Sequence, residues 1–280
     1  MWDLLGRVDA RPTWELLGSS ASYPKTPYAS ILFGQTPAET LARVNDVVRD
    51  GYSAVKLGWS GFGACLASDS DQLAAAREAL GPDRTLLVDA GQAWGGNLEA
   101  ALDRVRMLES WGVAWLEEPF EPGESDNYAR LAAARTSMKL AGGEASHNAR
   151  MALNLIDLGR VGYVQVDCGR IGGLGPAYAV AGHAQRAGVQ YVNHTFTSHL
   201  ALSASLQPFA GLHSHDLCEF PTALSPLAKS VTRAPLPMDA NGQITAPVKP
   251  GLGVEVDTEA ITPYVRNYVV QVDGKTLAQG

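Results

Sequence analysis

Seven polar side chains recur at regular steps along the chain: Lys56, Asp89, Glu117, Glu144, Asp167, His194 and Glu219, each 23 to 33 residues from the next. Asp89, Glu117 and Glu144 are three carboxylates that, brought together without a cation, would repel strongly. An all-oxygen trio on rigid supports suits a hard divalent ion, and octahedral Mg²⁺ fits it. Taken singly, each acid reads equally well as a helix N-cap or a salt-bridged strand end; the common step of all three favours the metal. Glu118 competes with Glu117 for the ligand role, because the two are adjacent and strand side chains alternate. Asp167 and His194 make a second set. A carboxylate bonded to one imidazole nitrogen fixes the tautomer and keeps the other nitrogen basic, as a general base requires. A lone histidine is more often structural; the neighbouring acids favour chemistry here. Lys56 would be costly to bury alone, so it needs an anionic partner, either a substrate carboxylate or Glu219.

The elements that must hold these residues alternate in type. Short β-rich runs at 28–33, 53–57, 85–89, 113–117, 139–142, 161–167, 189–193 and 216–219 are mostly unbroken apolar stretches, as in strands covered on both faces. Amphipathic helical patterns fall between them at 38–49, 73–80, 98–108, 149–158, 177–187 and 198–210. Leu41, Val44, Val47 and Val48 share one face of the first, and Gly51 closes it. Eight strands alternating with helices predict a parallel α/β sheet, and eight units in about 200 residues predict closure into a TIM-type barrel. An open doubly wound sheet is the competing arrangement. The seven polar residues lie at or just after the C-terminal ends of successive strands, so a barrel gathers them on one rim, where active sites of this fold lie. Residues 1–24 read as a short helical lead-in, 25–220 as the barrel and 221–280 as a Pro-rich tail in which DANGQIT marks a turn between two short strands.

Composition narrows the function classes. The 280 residues are 46% hydrophobic and 18% charged, a globular balance. A net charge of −7 argues against nucleic acid and against a polybasic membrane patch. No apolar run reaches 18 residues, and the first 18 carry acids among apolar residues, unlike a signal peptide. Cys65, Cys168 and Cys218 are widely spaced without CxxC, which fits a reducing cytoplasm.

The segments AVKLG at Lys56, VDAGQAW at Asp89, WLEEPF at Glu117, AGGEAS at Glu144, QVDCGRIGG at Asp167 and VNHTF at His194 occur in that order. With them the chain resembles the mandelate racemase and muconate lactonizing subgroup of the enolase superfamily, from WDLLGR at Trp2 to PGLGVEVD near Asp257. The resemblance implies a modified (β/α)7β barrel with Asp89, Glu117 and Glu144 as metal ligands and Asp167–His194 as an acid–base dyad. It places Glu219 as the strand-eight acid that hydrogen-bonds a substrate carboxylate oxygen. Two positions depart from it. The second-strand motif is often Lys-x-Lys, its second lysine a base; here it reads Lys56-Leu57-Gly58. Gly91 stands where asparagine commonly follows the metal aspartate. The resemblance also implies a capping domain of about a hundred residues before the barrel. None is recognisable here, which implies a shortened chain whose tail would meet the missing part and whose exposed rim would be apolar.

The implied reaction removes a proton alpha to a carboxylate, with Mg²⁺ and Lys56 stabilising the enediolate. With Gly58 in place of a lysine, His194 acts alone, taking the alpha proton and returning it to a leaving beta-hydroxyl. That is dehydration of a sugar acid; racemisation, epimerisation, cycloisomerisation or an inactive metal-binding remnant are the alternatives. The expected partner is a small carboxylate, with no nucleic acid or membrane, and the full-length protein is expected to be a homo-oligomer. A zinc hydrolase would want His-x-His on the first strand, where the chain reads YASILFGQT. His213-x-His215 has that spacing but precedes the last strand and reads as surface. GRIGGLGP at 169–176 has the wrong spacing for a dinucleotide site and reads as a Gly-rich loop able to line an anion pocket. His147 reads as a helix-start residue, with a place behind Glu144 as the alternative, and His199 as structural.

Overall fold

Short apolar runs framed by capped helices become strands throughout the computed structural model, which describes residues 1–134 and 137–279. Helices α1 (Trp2–Val8) and α2 (Thr13–Leu16) precede a regular alternation. It runs β1 (Thr26–Leu32), α3 (Pro37–Arg49), β2 (Ala54–Gly58), α4 (Leu66–Leu80), β3 (Thr85–Asp89), α5 (Leu98–Ser110), β4 (Val113–Glu117) and α6 (Ser125–Ala134). It continues with β5 (Lys139–Gly142), α7 (Ala149–Asp157), β6 (Tyr163–Val166), α8 (Leu174–Ala187), β7 (Gln190–Asn193), α9 (His199–Leu206) and β8 (Leu217–Phe220). After it come α10 (Pro226–Ser230), β9 (Val269–Val272) and β10 (Lys275–Gln279). Side chains of Thr36, Asn97, Asn148 and Ser198 cap α3, α5, α7 and α9 by accepting the backbone N–H of the third residue of each helix. None of the described helices is long and apolar enough to cross a membrane.

The eight strands form one parallel sheet in the order β7-β6-β5-β4-β3-β2-β1-β8. A doubly wound sheet would reverse direction within that order; this one never does, and β8 returns beside β1. The seam between β7 and β8 is closed by a side chain. Asn193 Nδ2 donates to the Glu219 carbonyl at 3.1 Å, and Asn193 Oδ1 accepts from the Glu219 N–H at 2.9 Å, in place of a backbone ladder. The result is an α/β barrel of TIM type.

Side chains alternate across the barrel wall. Val55, Leu57, Leu86, Val88 and Leu116 point outward to pack beneath the helices. Tyr28, Ala54, Leu87, Trp115, Ala141 and Val192 fill the barrel interior. One step further along the same inward rows stand Lys56, Asp89, Glu117 and, beside Val192, His194. The apolar plug below therefore fixes which strand residues can reach the rim above.

Several expectations need correction. Helix α4 starts at Leu66 rather than at 73, because serine and aspartate in its first turns hide the periodicity. Helix α6 was not expected; only Tyr128 and Leu131 of its described side chains are buried, too few to set a period. DANGQIT forms a turn, with Asp239 Oδ1 accepting from the N–H groups of Asn241 and Gln243, but only a single antiparallel bridge joins Ile244 to Lys25. The tail hairpin lies later, where Asp273 and Gly274 both take positive φ between β9 and β10. His215 is buried, not on the surface: its Nδ1 accepts the Tyr191 N–H at 2.7 Å, under the N-terminal end of the barrel. The neighbouring His213 is exposed and packs edge-on against Tyr23.

Candidate active site

The parallel register sets the acids side by side: Gly58 opposite Asp89, Asp89 opposite Glu117, and Tyr28 opposite Glu219. Ligand atoms of Asp89, Glu117 and Glu144 lie within 4.8 Å of one another, and among the described residues this is the group placed to share an ion. Glu117 rather than Glu118 belongs to it. Glu118 has φ of 38°, which breaks the strand, and its carboxylate turns away to accept from Gln92 Nε2 at 2.9 Å. Lys56 Nζ sits 2.8 Å from Glu117 Oε1, 3.1 Å from Glu219 Oε1 and 3.9 Å from Asp89 Oδ2. Of the two partners expected for Lys56, Glu219 is in place, and Glu117 joins it.

On the other side His194 Nδ1 is 2.9 Å from Asp167 Oδ2. Asp167 is fixed in turn by the N–H groups of Gly169 and Arg170 on its Oδ1, at 2.7 and 3.0 Å. His194 Nε2 lies 3.1 Å from Glu144 Oε2. Glu219 Oε2 accepts the Thr195 N–H at 2.7 Å. All seven expected residues therefore meet at one rim. His147 is exposed, just ahead of the Asn148 cap of α7. His199 is buried and accepts the Leu236 N–H, a structural bond.

Electrostatics follow from burial and company. Burial pushes the Glu117 and Asp89 carboxyls up, against the pull of Lys56. Burial also works against the Lys56 ammonium, but Glu117 and Glu219 outweigh it and hold its pKa well above the usual range. Burial would lower the His194 imidazole; its bonds to Asp167 and Glu144 prevail and raise it to about 10. Burial would raise Glu144, yet the bond from His194, with Lys56 and Arg170, brings it down to about 2.

The residues fit a divalent cation. Glu117 Oε2 is fully buried with no hydrogen-bond partner, a costly state for a carboxylate oxygen. The donor set is all oxygen. Opposed ligands of an ion bound at ~2.1 Å stand ~4.2 Å apart, so the separations within the triad are on the scale of one ion's shell.

A cavity of about 670 Å³ opens above this rim, lined by Lys56, Asp89, Glu144, His194 and Glu219 together with Trp59, Arg170 and Phe196. Sequence reasoning missed the last three. Arg170 Nη1 pairs with Glu144 Oε1 at 3.1 Å, and the basic residue within GRIGG was the available signal. Trp59 and Phe196 flank the Lys56 and His194 motifs, but a single aromatic carries no spacing signal.

Residues 39–260 match the family described as enolase C-terminal domain-like. The chain belongs to the enolase superfamily. Within it, this is an enzyme of the mandelate racemase and muconate lactonizing subgroup. A solved structure from Rhodobacter sphaeroides, described as a predicted mandelate racemase, is 52% identical and superposes with a TM-score of 0.95 over 99% of this chain and 71% of its own. The D-galactarolactone cycloisomerase of Agrobacterium fabrum is 29% identical over 279 residues, 94% of this chain and 71% of that enzyme. The D-galactonate dehydratase of Variovorax paradoxus is 29% identical over 281 residues, 95% of this chain and 72% of that enzyme.

Proposed function

We propose that this enolase-superfamily member removes a proton alpha to the carboxylate of a sugar acid and expels the beta-hydroxyl, giving a 2-keto-3-deoxy acid. The observation that carries the reading is the single imidazole at the rim: His194, its Nδ1 held by Asp167, beside the three-carboxylate cluster. No second base stands at Gly58. Asp89, Glu117 and Glu144 would hold Mg²⁺, which when bound supplies positive charge to the substrate carboxylate oxygens.

The chain's own groups do the rest. Lys56 presents a fixed ammonium where enolate charge develops. Glu219, with one oxygen on Lys56 and the other on the Thr195 N–H, is held at the rim where it would hydrogen-bond a substrate carboxylate oxygen. Glu144 is shared: as found it holds His194 Nε2, and turned fully to the triad it withdraws the anion that favours the imidazolium, so that His194 gives its Nε2 proton to solvent and stands neutral as a base. His194 Nε2 then accepts the alpha proton as the alpha C–H bond breaks. The beta C–O bond breaks next, the hydroxyl leaves as water with the proton returned by His194, and the enol tautomerises to the ketone. His194 ends neutral, as it began that step.

A second reading is supported by the D-galactarolactone cycloisomerase relative. There the same alpha proton would leave, but a ring oxygen at the beta carbon would depart in place of hydroxyl, so no water is lost. Racemisation needs a base on each face, and Gly58 supplies none.

The test is alpha-proton exchange in D₂O with Mg²⁺ and a panel of sugar acids. His194→Asn should lose exchange and about 10²–10⁴ in rate. Undiminished exchange in that variant would move the base elsewhere and sink the reading. Product mass separates dehydration from ring opening.

A further inference from the structure

Three features unexplained by the shared chemistry meet at one side chain. Gly58 and Gly91 leave no side chain on either side of Asp89, and Trp59 holds φ of 60° with Ser60 beside it at 52°. Left-handed conformations at two successive residues with side chains are strained and persist where surroundings enforce them. Here they do. The next turn is pinned at Gly63, whose N–H donates to Asp69 and whose carbonyl accepts from Trp94 and Arg104. Phe62 stacks on Phe33, ring centres 5.0 Å apart.

The strained turn delivers the Trp59 indole to Asp89. Its Nε1–H donates to Asp89 Oδ2 at 3.3 Å, while the Gly91 N–H donates to Asp89 Oδ1 at 2.8 Å. The indole lies against Gly91: a Cβ there would come within 3.0 Å of Trp59 Cδ2 and Cε2. On the other side Asp89 packs on Gly58, where a Cβ would fall 2.9 Å from Asp89 Cβ. Gly58, Trp59 and Gly91 each thus make room for, or bond, the same carboxylate.

We propose that Gly58, Trp59 and Gly91 act as one device and that Trp59 is a positioning residue for Asp89. One N–H on each carboxylate oxygen sets the plane of the group and leaves a lone pair on each for a cation. Such outer partners of a ligand orient it and tune its affinity. The inference rests on the metal reading of the triad given above. It also accounts for Gly91, since any larger residue displaces the indole.

The experiment uses the 280-residue chain with Mg²⁺ alone, stripped by EDTA and titrated by calorimetry and by tryptophan emission. The difference between the wild type and Trp59→Phe isolates Trp59 among the six tryptophans. Wild type should bind Mg²⁺ with a change in the emission of Trp59. Trp59→Phe should bind about tenfold more weakly and lose that emission change. Gly91→Ala, which pushes on the ring, should do the same, and the double variant should be no weaker than either single. Melting curves confirm that each variant is folded. If Trp59→Phe binds within twofold of wild type, or the Trp59 signal ignores Mg²⁺, the positioning role is wrong while the metal site stands. If wild type itself binds no Mg²⁺, both this inference and the metal reading fall.

Discussion

At Gly58 the backbone of β2 runs against the side chain of Asp89, with a Cβ position 2.9 Å from Asp89 Cβ and 3.0 Å from its carbonyl oxygen. A base therefore cannot be added back at this position without moving a metal-ligand candidate. Gly58→Lys is expected to cost about 1–3 kcal/mol by overpacking, to weaken Mg²⁺ binding, and to leave epimerisation undetectable. Urea unfolding and proton NMR of the alpha position check this; a stable variant that epimerises would show that the wall yields and that one substitution converts the chemistry. The same contrast explains what could be read from sequence at this scale. The seven rim residues were legible because a charged side chain ending an apolar strand is out of place unless it works there. The choice between Glu117 and Glu118 was not, because it depends on where the strand's alternation breaks, at the positive φ of Glu118. Trp59 was invisible for a different reason: its partner Gly91 is 32 positions away and has no side chain to announce the contact.

Among elements, the segment between β2 and α4 carries the most unusual load. It holds two strained residues and is tied down by a buried pair, Arg104 Nε to Asp69 Oδ2 at 3.3 Å, with the guanidinium also bonded to the Gly63 carbonyl. Burial raises the Asp69 carboxyl despite that pairing, so the pair is held by its surroundings rather than by a surplus of Coulomb energy. Removing one partner strands the other. Asp69→Ala is expected to lose about 3–5 kcal/mol and to raise hydrogen exchange across residues 59–65, whereas Asp69→Asn, which can still accept the Gly63 N–H, should lose less. Equal exchange in Asp69→Ala and wild type would mean that the aromatic stack alone fixes the turn. The elements themselves were largely legible. Strands buried on both faces read as unbroken apolar runs, and β3, β4 and β5 fall on their expected residues. Helix α6 was missed because two buried side chains make no stripe, and the closing of β7 on β8 because an asparagine amide, not a strand pairing, does it.

For the whole molecule, charge at the barrel mouth and apolar surface around it set what binding can do. Leu32, Trp59 and Phe196 are 53%, 56% and 54% exposed beside the cavity and give it an apolar rim. Inside it five carboxylates, Asp89, Glu117, Glu144, Asp167 and Glu219, face three cationic groups, Lys56, Arg170 and the raised His194. Acidic groups outnumber basic ones at the rim, which favours a divalent ion. Since that cluster exists only in the folded barrel, Mg²⁺ should bind the native state and not the unfolded chain, and so stabilise it. At a concentration a hundred times the dissociation constant, linkage gives about 2.7 kcal/mol. For a domain of this size that is a rise in melting temperature of roughly 5–10 °C. Glu144→Gln should abolish the rise. It removes one ligand charge and also the anion on His194 Nε2, so its melting temperature without metal reports the His194–Glu144 bond separately. Calcium, larger and less demanding of six-fold geometry, should give a smaller shift if the strands hold the triad as rigidly as the register implies. Identical melting in EDTA and in millimolar Mg²⁺ would mean that Lys56 already neutralises the acids, and would remove the ion from the proposed chemistry.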